Sequence, residues 1–109
     1  PMPVVEEPSL ADSLLGGIGL DNRYTFPLIR DLVDEVVLVN ETEIAAAMVY
    51  AVRQEKQIVE GGGSVGIGAL LANKVSHLGE YVVVVVSGGN VEMTKLLALL
   101  NQPSVPMMP

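Results

Sequence analysis

Cysteine is absent from this chain, which excludes disulfides, thiolate chemistry and a zinc–thiolate site. The absence fits a reducing compartment. Tryptophan is absent as well, and histidine occurs once. Basic residues are scarce: Arg23, Arg30, Arg53, Lys56, Lys74 and Lys95 are all there are, and they form no run. With a net charge of −7, nucleic acid is not expected as a partner, because phosphate binding needs clustered Lys and Arg. The acidity most simply keeps a hydrophobic chain in solution. Pro1-Met2-Pro3-Val4-Val5-Glu6-Glu7 lacks a basic region followed by a long apolar one, so no secretory signal is read there. The valine run from Val82 to Val86 is far short of the roughly 20 residues that span a bilayer. The expectation is a cytoplasmic protein with no membrane partner. The first residue is Pro rather than Met, so the sequence is expected to start inside a longer one.

What is present is apolar: half of 109 residues, enough for a core in one ordinary domain. The chain is organised around Tyr81-Val82-Val83-Val84-Val85-Val86-Ser87-Gly88-Gly89-Asn90. Five valines without polar alternation suit a strand buried on both faces, as in a parallel sheet. A helical pattern, Val91 to Leu100, follows at once. Open parallel sheets bind ligands at the carboxyl ends of their strands. Ser87-Gly88-Gly89-Asn90 is therefore a candidate ligand turn, with a plain strand-to-helix turn as the alternative.

Ahead of it, residues 1–9 read as an extended lead-in with three prolines, and Val4-Val5 as the tail of a strand. Ser9 could cap a short helix from Leu10 to Leu15. Gly16-Gly17-Ile18-Gly19 reads as a flexible loop; it lacks the spacing and preceding strand of a dinucleotide fingerprint. Thr25 caps a predicted helix from Phe26 to about Val33. Glu35 to Val39 predicts a short strand. Asn40-Glu41-Thr42-Glu43 has an Asn cap with Glu three positions later, and opens the longest predicted helix, about Glu41 to Val59. The glycines of Glu60-Gly61-Gly62-Gly63-Ser64 predict a loop, because each costs about 1 kcal/mol in a helix interior. A helix with Gly66 and Gly68 inside it is predicted from Val65 to Val75. His77 falls in a predicted surface turn, and residues 101–109 in a loose tail.

Glu35 to Val86 is thus strand, helices, strand: a βαβ crossover with parallel strands. The fold class is α/β, a parallel sheet with flanking helices. Two firm strands are too few, since sheets usually have about four to six, and hydrophobic edges would be left bare. Either these residues complete a larger sheet built by chain outside them, or oligomer contacts or unrecognised strands cover the edges. No nucleophile–base pair is visible: hydroxyls stand at Ser13, Ser64, Ser76, Ser87 and Ser104, but with one His and no Gly-x-Ser-x-Gly elbow. Glu6-Glu7 and Asp34-Glu35 are adjacent carboxylates of the kind that face solvent, and no metal is expected. Two glycine-rich turns remain, one led by Glu60 and one by Ser87, and they specify binding rather than a reaction.

Four stretches in order resemble one family. Leu10-Ala11-Asp12-Ser13 with Gly17-Ile18-Gly19, Arg30-Asp31-Leu32-Val33-Asp34-Glu35-Val36, Ile58-Val59-Glu60 with its glycines and Val65-Gly66, and Ser87-Gly88-Gly89-Asn90-Val91 look like the C-terminal signatures of the threonine and serine dehydratases. These are pyridoxal-phosphate enzymes of fold type II, with serine racemase among them. Gly19-Leu20-Asp21-Asn22-Arg23-Tyr24-Thr25-Phe26 most resembles the dehydratases of hydroxyectoine breakdown. The resemblance covers about residues 4–100.

The resemblance implies that Ser87 hydrogen-bonds the pyridine nitrogen of pyridoxal 5'-phosphate. A hydroxyl there makes a weaker electron sink than a carboxylate, which suits β-elimination. It implies that Gly88, Gly89 and Asn90 complete that turn, that Glu60 lies close to the cofactor ring, and that Gly17 and Gly19 line its other side. Gly63 stands where the family often has Ala, and Gly61 where Pro or Gly is usual. The family's Schiff-base lysine and phosphate-cradling loop have no counterpart here, since Lys56, Lys74 and Lys95 lie in helical contexts. Residues 1–109 are therefore expected to be a single segment, the C-terminal portion of a dehydratase's large domain. Its expected partners are an amino-acid substrate, the rest of the enzyme chain and further copies in a homo-oligomer. The whole enzyme would release ammonia and a 2-oxo acid from a 3-hydroxy amino acid, and this segment alone would be inactive. A non-catalytic module binding a small anion is the alternative.

Overall fold

The structure is a computed structural model and describes residues 2–102. Of the expected tail, residues 103–109 lie outside the described residues.

The longest helix begins where the Asn-Glu-Thr-Glu pattern places it. The Asn40 side chain accepts from the Glu43 N–H at 2.8 Å, and the Glu43 carboxylate accepts from the Asn40 N–H at 2.8 Å. This reciprocal cap satisfies two backbone donors that a helix start leaves without partners. The helix is α2, Glu41–Arg53; it follows α1, Thr25–Leu32, and precedes α3, Gly61–Leu71, and α4, Met93–Leu100. A 3-10 turn, Asp12–Leu14, comes before all four.

α2 is the centre of the molecule, with Ile44 through Val49 and Ala51 all buried. Its four alanines keep it thin, so neighbours approach on several sides. Gly68 of α3 lies against the Glu43 carbonyl, where a Cβ would come within 3.2 Å. Leu96 and Leu99 of α4 join Ile44, Ala45, Met48 and Val49 in the core, with Ala11 from the 3-10 turn's start. Met48 and Leu96 are fully buried, each worth roughly 1.5–3 kcal/mol.

Several expectations are corrected. α2 stops at Arg53, not near Val59. Beyond it Arg53-Gln54-Glu55-Lys56-Gln57 offers nothing apolar to bury, and the chain reverses there. Lys56 takes a left-handed φ of 58°, and the Gln57 N–H reaches the Ala51 carbonyl at 2.9 Å. The glycine run is not a loop: Gly61, Gly62 and Gly63 form the first turn of α3. With no side chains, they let the start of α3 pack against Leu10, Ser13 and Gly88. Helix α4 starts at Met93 rather than Val91, because the Val91 N–H turns back to the Gly89 carbonyl at 2.9 Å. The helix expected over Leu10–Leu15 is the shorter 3-10 turn. At α1 the side chain that meets the first turn is Asn22, which accepts from the Phe26 N–H at 2.7 Å, rather than Thr25.

The largest correction concerns the sheet. Among the described residues there is no β-strand, so the parallel sheet of the expected fold is not present. The two segments expected to form it still alternate in burial. Val37 and Val39 are half-buried while Val36 and Leu38 are exposed, and Val84 is half-buried between exposed Val83 and Val85. What is missing is the ladder, because a strand needs a second backbone about 4.8 Å away. Residues 35–39 are held by side chains instead. Lys74 donates to the Leu38 carbonyl at 2.9 Å, and Ser76 to Glu35 at 3.2 Å. The valine run lies on α3 through Val84, against Gly66. Its outer side is open among the described residues: Val83 is 90% exposed and Val85 79%.

The result is an open slab. Its extents are 43 × 35 × 20 Å, and its radius of gyration is 15.0 Å, against about 13 Å for a compact chain of this length. Helix α1 packs on none of the other helices among the described residues. No described helix is long and apolar enough to cross a membrane.

Candidate functional site

The two glycine-rich turns singled out by sequence meet in space. The Glu60 N–H donates to the Gly88 carbonyl at 3.1 Å. A Cβ on Gly63 would stand 2.9 Å from that same carbonyl oxygen and 3.1 Å from the Gly88 nitrogen. A Cβ on Gly89 would stand 2.5 Å from the Ile58 carbonyl oxygen. A Cβ on Gly88 would overlap the Glu60 carboxylate, which rests on that turn. Glycine on both sides of the junction therefore lets backbone touch backbone without a shift. On its other flank the start of α3 meets the Leu10–Ser13 stretch: a Cβ on Gly61 would collide with the Leu10 carbonyl, and one on Gly62 with the Ser13 hydroxyl.

Ser87 and Asn90 are exposed, and neither side chain bonds any described residue. Glu60 is half-buried, with its carbonyl taken by the Ser64 hydroxyl at 2.8 Å. Beside this junction lies a cavity of about 690 Å³ whose walls include Glu60, Gly61, Asn90, Glu41, Glu92 and Lys95. Gly17 and Gly19 are elsewhere. They line a separate cavity of about 670 Å³, with Leu14, Leu15 and Phe26. The structure thus brings together Glu60, Gly88 and Gly89, with Ser87 and Asn90 on the same turn, and does not bring Gly17 and Gly19 to them.

Sequence reasoning missed the cavity's charged wall. Lys95 lies on the first turn of α4, and Glu92 just before that helix. Their only signal was closeness in sequence to Asn90. Glu41 enters because its carboxylate accepts from the Leu10 N–H at 3.1 Å, a pairing across 31 residues that no local pattern carries.

The Ser87 hydroxyl, exposed and without a partner among the described residues, is suited to bond a ligand atom held at the turn. That donor set fits pyridoxal phosphate, whose pyridine nitrogen accepts one hydrogen bond. The class agrees: the chain belongs to the pyridoxal-phosphate-dependent enzyme family, whose model matches residues 1–88. The cofactor of that family is pyridoxal phosphate.

Among individual relatives, the chain is 56% identical over 93 residues to a Sinorhizobium fredii (strain NBRC 101917 / NGR234) protein named "Putative threonine dehydratase", covering 85% of this chain and 28% of the relative. It is 38% identical over 96 residues to the L-threonine ammonia-lyase of Thermotoga maritima, covering 88% of this chain and 23% of the relative. It is 35% identical over 79 residues to an L-threo-3-hydroxyaspartate ammonia-lyase of Pseudomonas sp, covering 72% and 25%. The chain thus spans about a quarter of the length of these curated relatives. No solved structure matches it significantly.

Proposed function

We propose that these residues are the C-terminal part of a pyridoxal-phosphate-dependent ammonia-lyase of the threonine and serine dehydratase type. The observation that carries the proposal is the junction of Glu60 with Gly88, beside a hydroxyl at Ser87 that has no partner among the described residues. The cofactor, when bound, supplies an electron sink for loss of a proton and a hydroxyl from neighbouring carbons of an amino acid. This chain's residues hold and orient that ring. The Ser87 Oγ would donate to the pyridine nitrogen. A neutral donor there would leave the nitrogen uncharged, a modest sink of the kind that suits elimination. Gly88 and Gly89 let that turn close on Glu60 and Ile58, and the Glu60 carboxylate rests on it. The reactive lysine and the phosphate cradle come from chain outside these 109 residues. So do the strands that cover the outer side of Val82 to Val86.

The substrate class is a 3-hydroxy amino acid, released as ammonia and a 2-oxo acid. The stretch Gly19 to Phe26 favours the dehydratases of hydroxyectoine breakdown within that class. The complete enzyme is a cytoplasmic homo-oligomer. A non-catalytic module for small anions is the second reading. The cavity's wall opposes it, since Asp12, Glu41, Glu60 and Glu92 face the single cation Lys95 there.

The test is turnover. The chain is mixed with a polypeptide supplying the remaining three-quarters of a family member, and 2-oxo acid release from threonine and serine is followed. Turnover by the mixture and none by either piece supports the proposal. Turnover by this chain alone, or none by a mixture that assembles, overturns it.

A further inference from the structure

Ser64 is the only buried polar side chain among the described residues, at 0% exposure. A buried hydroxyl without a partner is costly. This one donates to the Glu60 carbonyl four residues back, at 2.8 Å. Such a bond does little for the helix itself; serine bonded in this way slightly weakens a helix, and alanine is the better former. Its effect falls on Glu60. That residue is held at both ends of its backbone, by Gly88 at its N–H and by Ser64 at its carbonyl. Glycine at the next three positions leaves no side chain to stiffen that turn. The Glu60 carboxylate rests on Gly88.

We infer that Ser64 is a positioning residue for the candidate site: its buried hydroxyl fixes the Glu60 peptide, and so aims the Glu60 carboxylate at the Ser87–Asn90 turn. The inference deepens the proposed function and rests on it for its purpose, though not for its geometry. The first-turn glycines by themselves would let the start of α3 fray, and the two turns would lose register.

Amide hydrogen exchange followed by NMR on the 109-residue chain tests it, with Ser64→Ala and Ser64→Thr as variants. In Ser64→Ala the Glu60 N–H should exchange about fivefold faster, the scale of one net hydrogen bond, while amides of α2 from Ile44 to Ala51 keep their rates. Ser64→Thr retains the hydroxyl and should restore slow exchange at Glu60. An unchanged Glu60 rate in Ser64→Ala overturns the inference. So does equal acceleration throughout α2, which marks a merely structural role, or a Thr variant that keeps α2 protected yet fails to rescue Glu60. If Thr unfolds the chain, Ser64→Ala alone decides. A parent chain unprotected throughout removes the geometry and the inference with it. No cofactor enters this measurement, so a failure of the proposed activity is read separately.

Discussion

At the residue scale, three positions test the physical account. Gly63 and Gly17 are both glycines with no positive φ, but their surroundings differ. A Cβ on Gly63 meets the Gly88 carbonyl at 2.9 Å, while one on Gly17 finds only the Gly19 nitrogen, at 3.9 Å. Gly63→Ala should destabilise by about 1–3 kcal/mol through overpacking against backbone. Gly17→Ala should stay within about 0.5 kcal/mol of the parent. Urea unfolding of both checks the contrast. Glu43 tests the electrostatics. The Lys74 ammonium, 2.6 Å away, holds its carboxyl below the usual carboxylate value, with help from the Asn40 N–H. The unfolded chain therefore takes up the proton first as pH falls. Glu43's contribution is present above the ordinary value of 4.5 and is lost as pH drops through its lower folded value. The thermal midpoint of the parent should exceed that of Glu43→Gln at pH 7, and the gap should close below pH 4.5.

At the element scale, the helix that local pattern specifies best is the one that organises the core. Removing the reciprocal cap with Asn40→Ala should cost about 1 kcal/mol. Met48→Ala, which empties the middle of the core, should cost about 2–5 kcal/mol. Denaturant titration of the two separates cap from core. The Asn40 cap was legible because its partners lie within four residues. The end of α2 was not, because apolar residues resume at Ile58-Val59, and only the structure shows a reversal between the two apolar stretches. The glycine turn at Gly61–Ser64 was misread for a related reason. Helix propensity is a local quantity, whereas the approach of Leu10, Ser13 and Gly88 to that turn comes from distant sequence. The Glu60 and Ser87 turns were legible as separate candidates; their meeting, and the cavity wall at Lys95 and Glu41, were not.

At the scale of the whole molecule, the bare valine run decides the interpretation. A row of β-branched side chains with open backbone is a template for another strand. Its patterning was legible as strand, but a ladder belongs to two segments, and one sequence pattern specifies only its own half. Left alone, this surface should drive self-association. Val83→Lys with Val85→Lys, both at outward positions, should reduce the sedimentation-detected oligomer while leaving helix content unchanged. The same double substitution should block assembly with a complementing portion of a family enzyme. The most direct measurement of the central claim is cofactor retention by that assembled pair after gel filtration, read from pyridoxal-phosphate absorbance. The account predicts that the cofactor stays with the pair, is lost from this chain alone, and is retained more weakly or with an altered spectrum when Ser87 is changed to Ala. Retention with an unchanged spectrum in Ser87→Ala, or equal retention when this chain is left out, would contradict it.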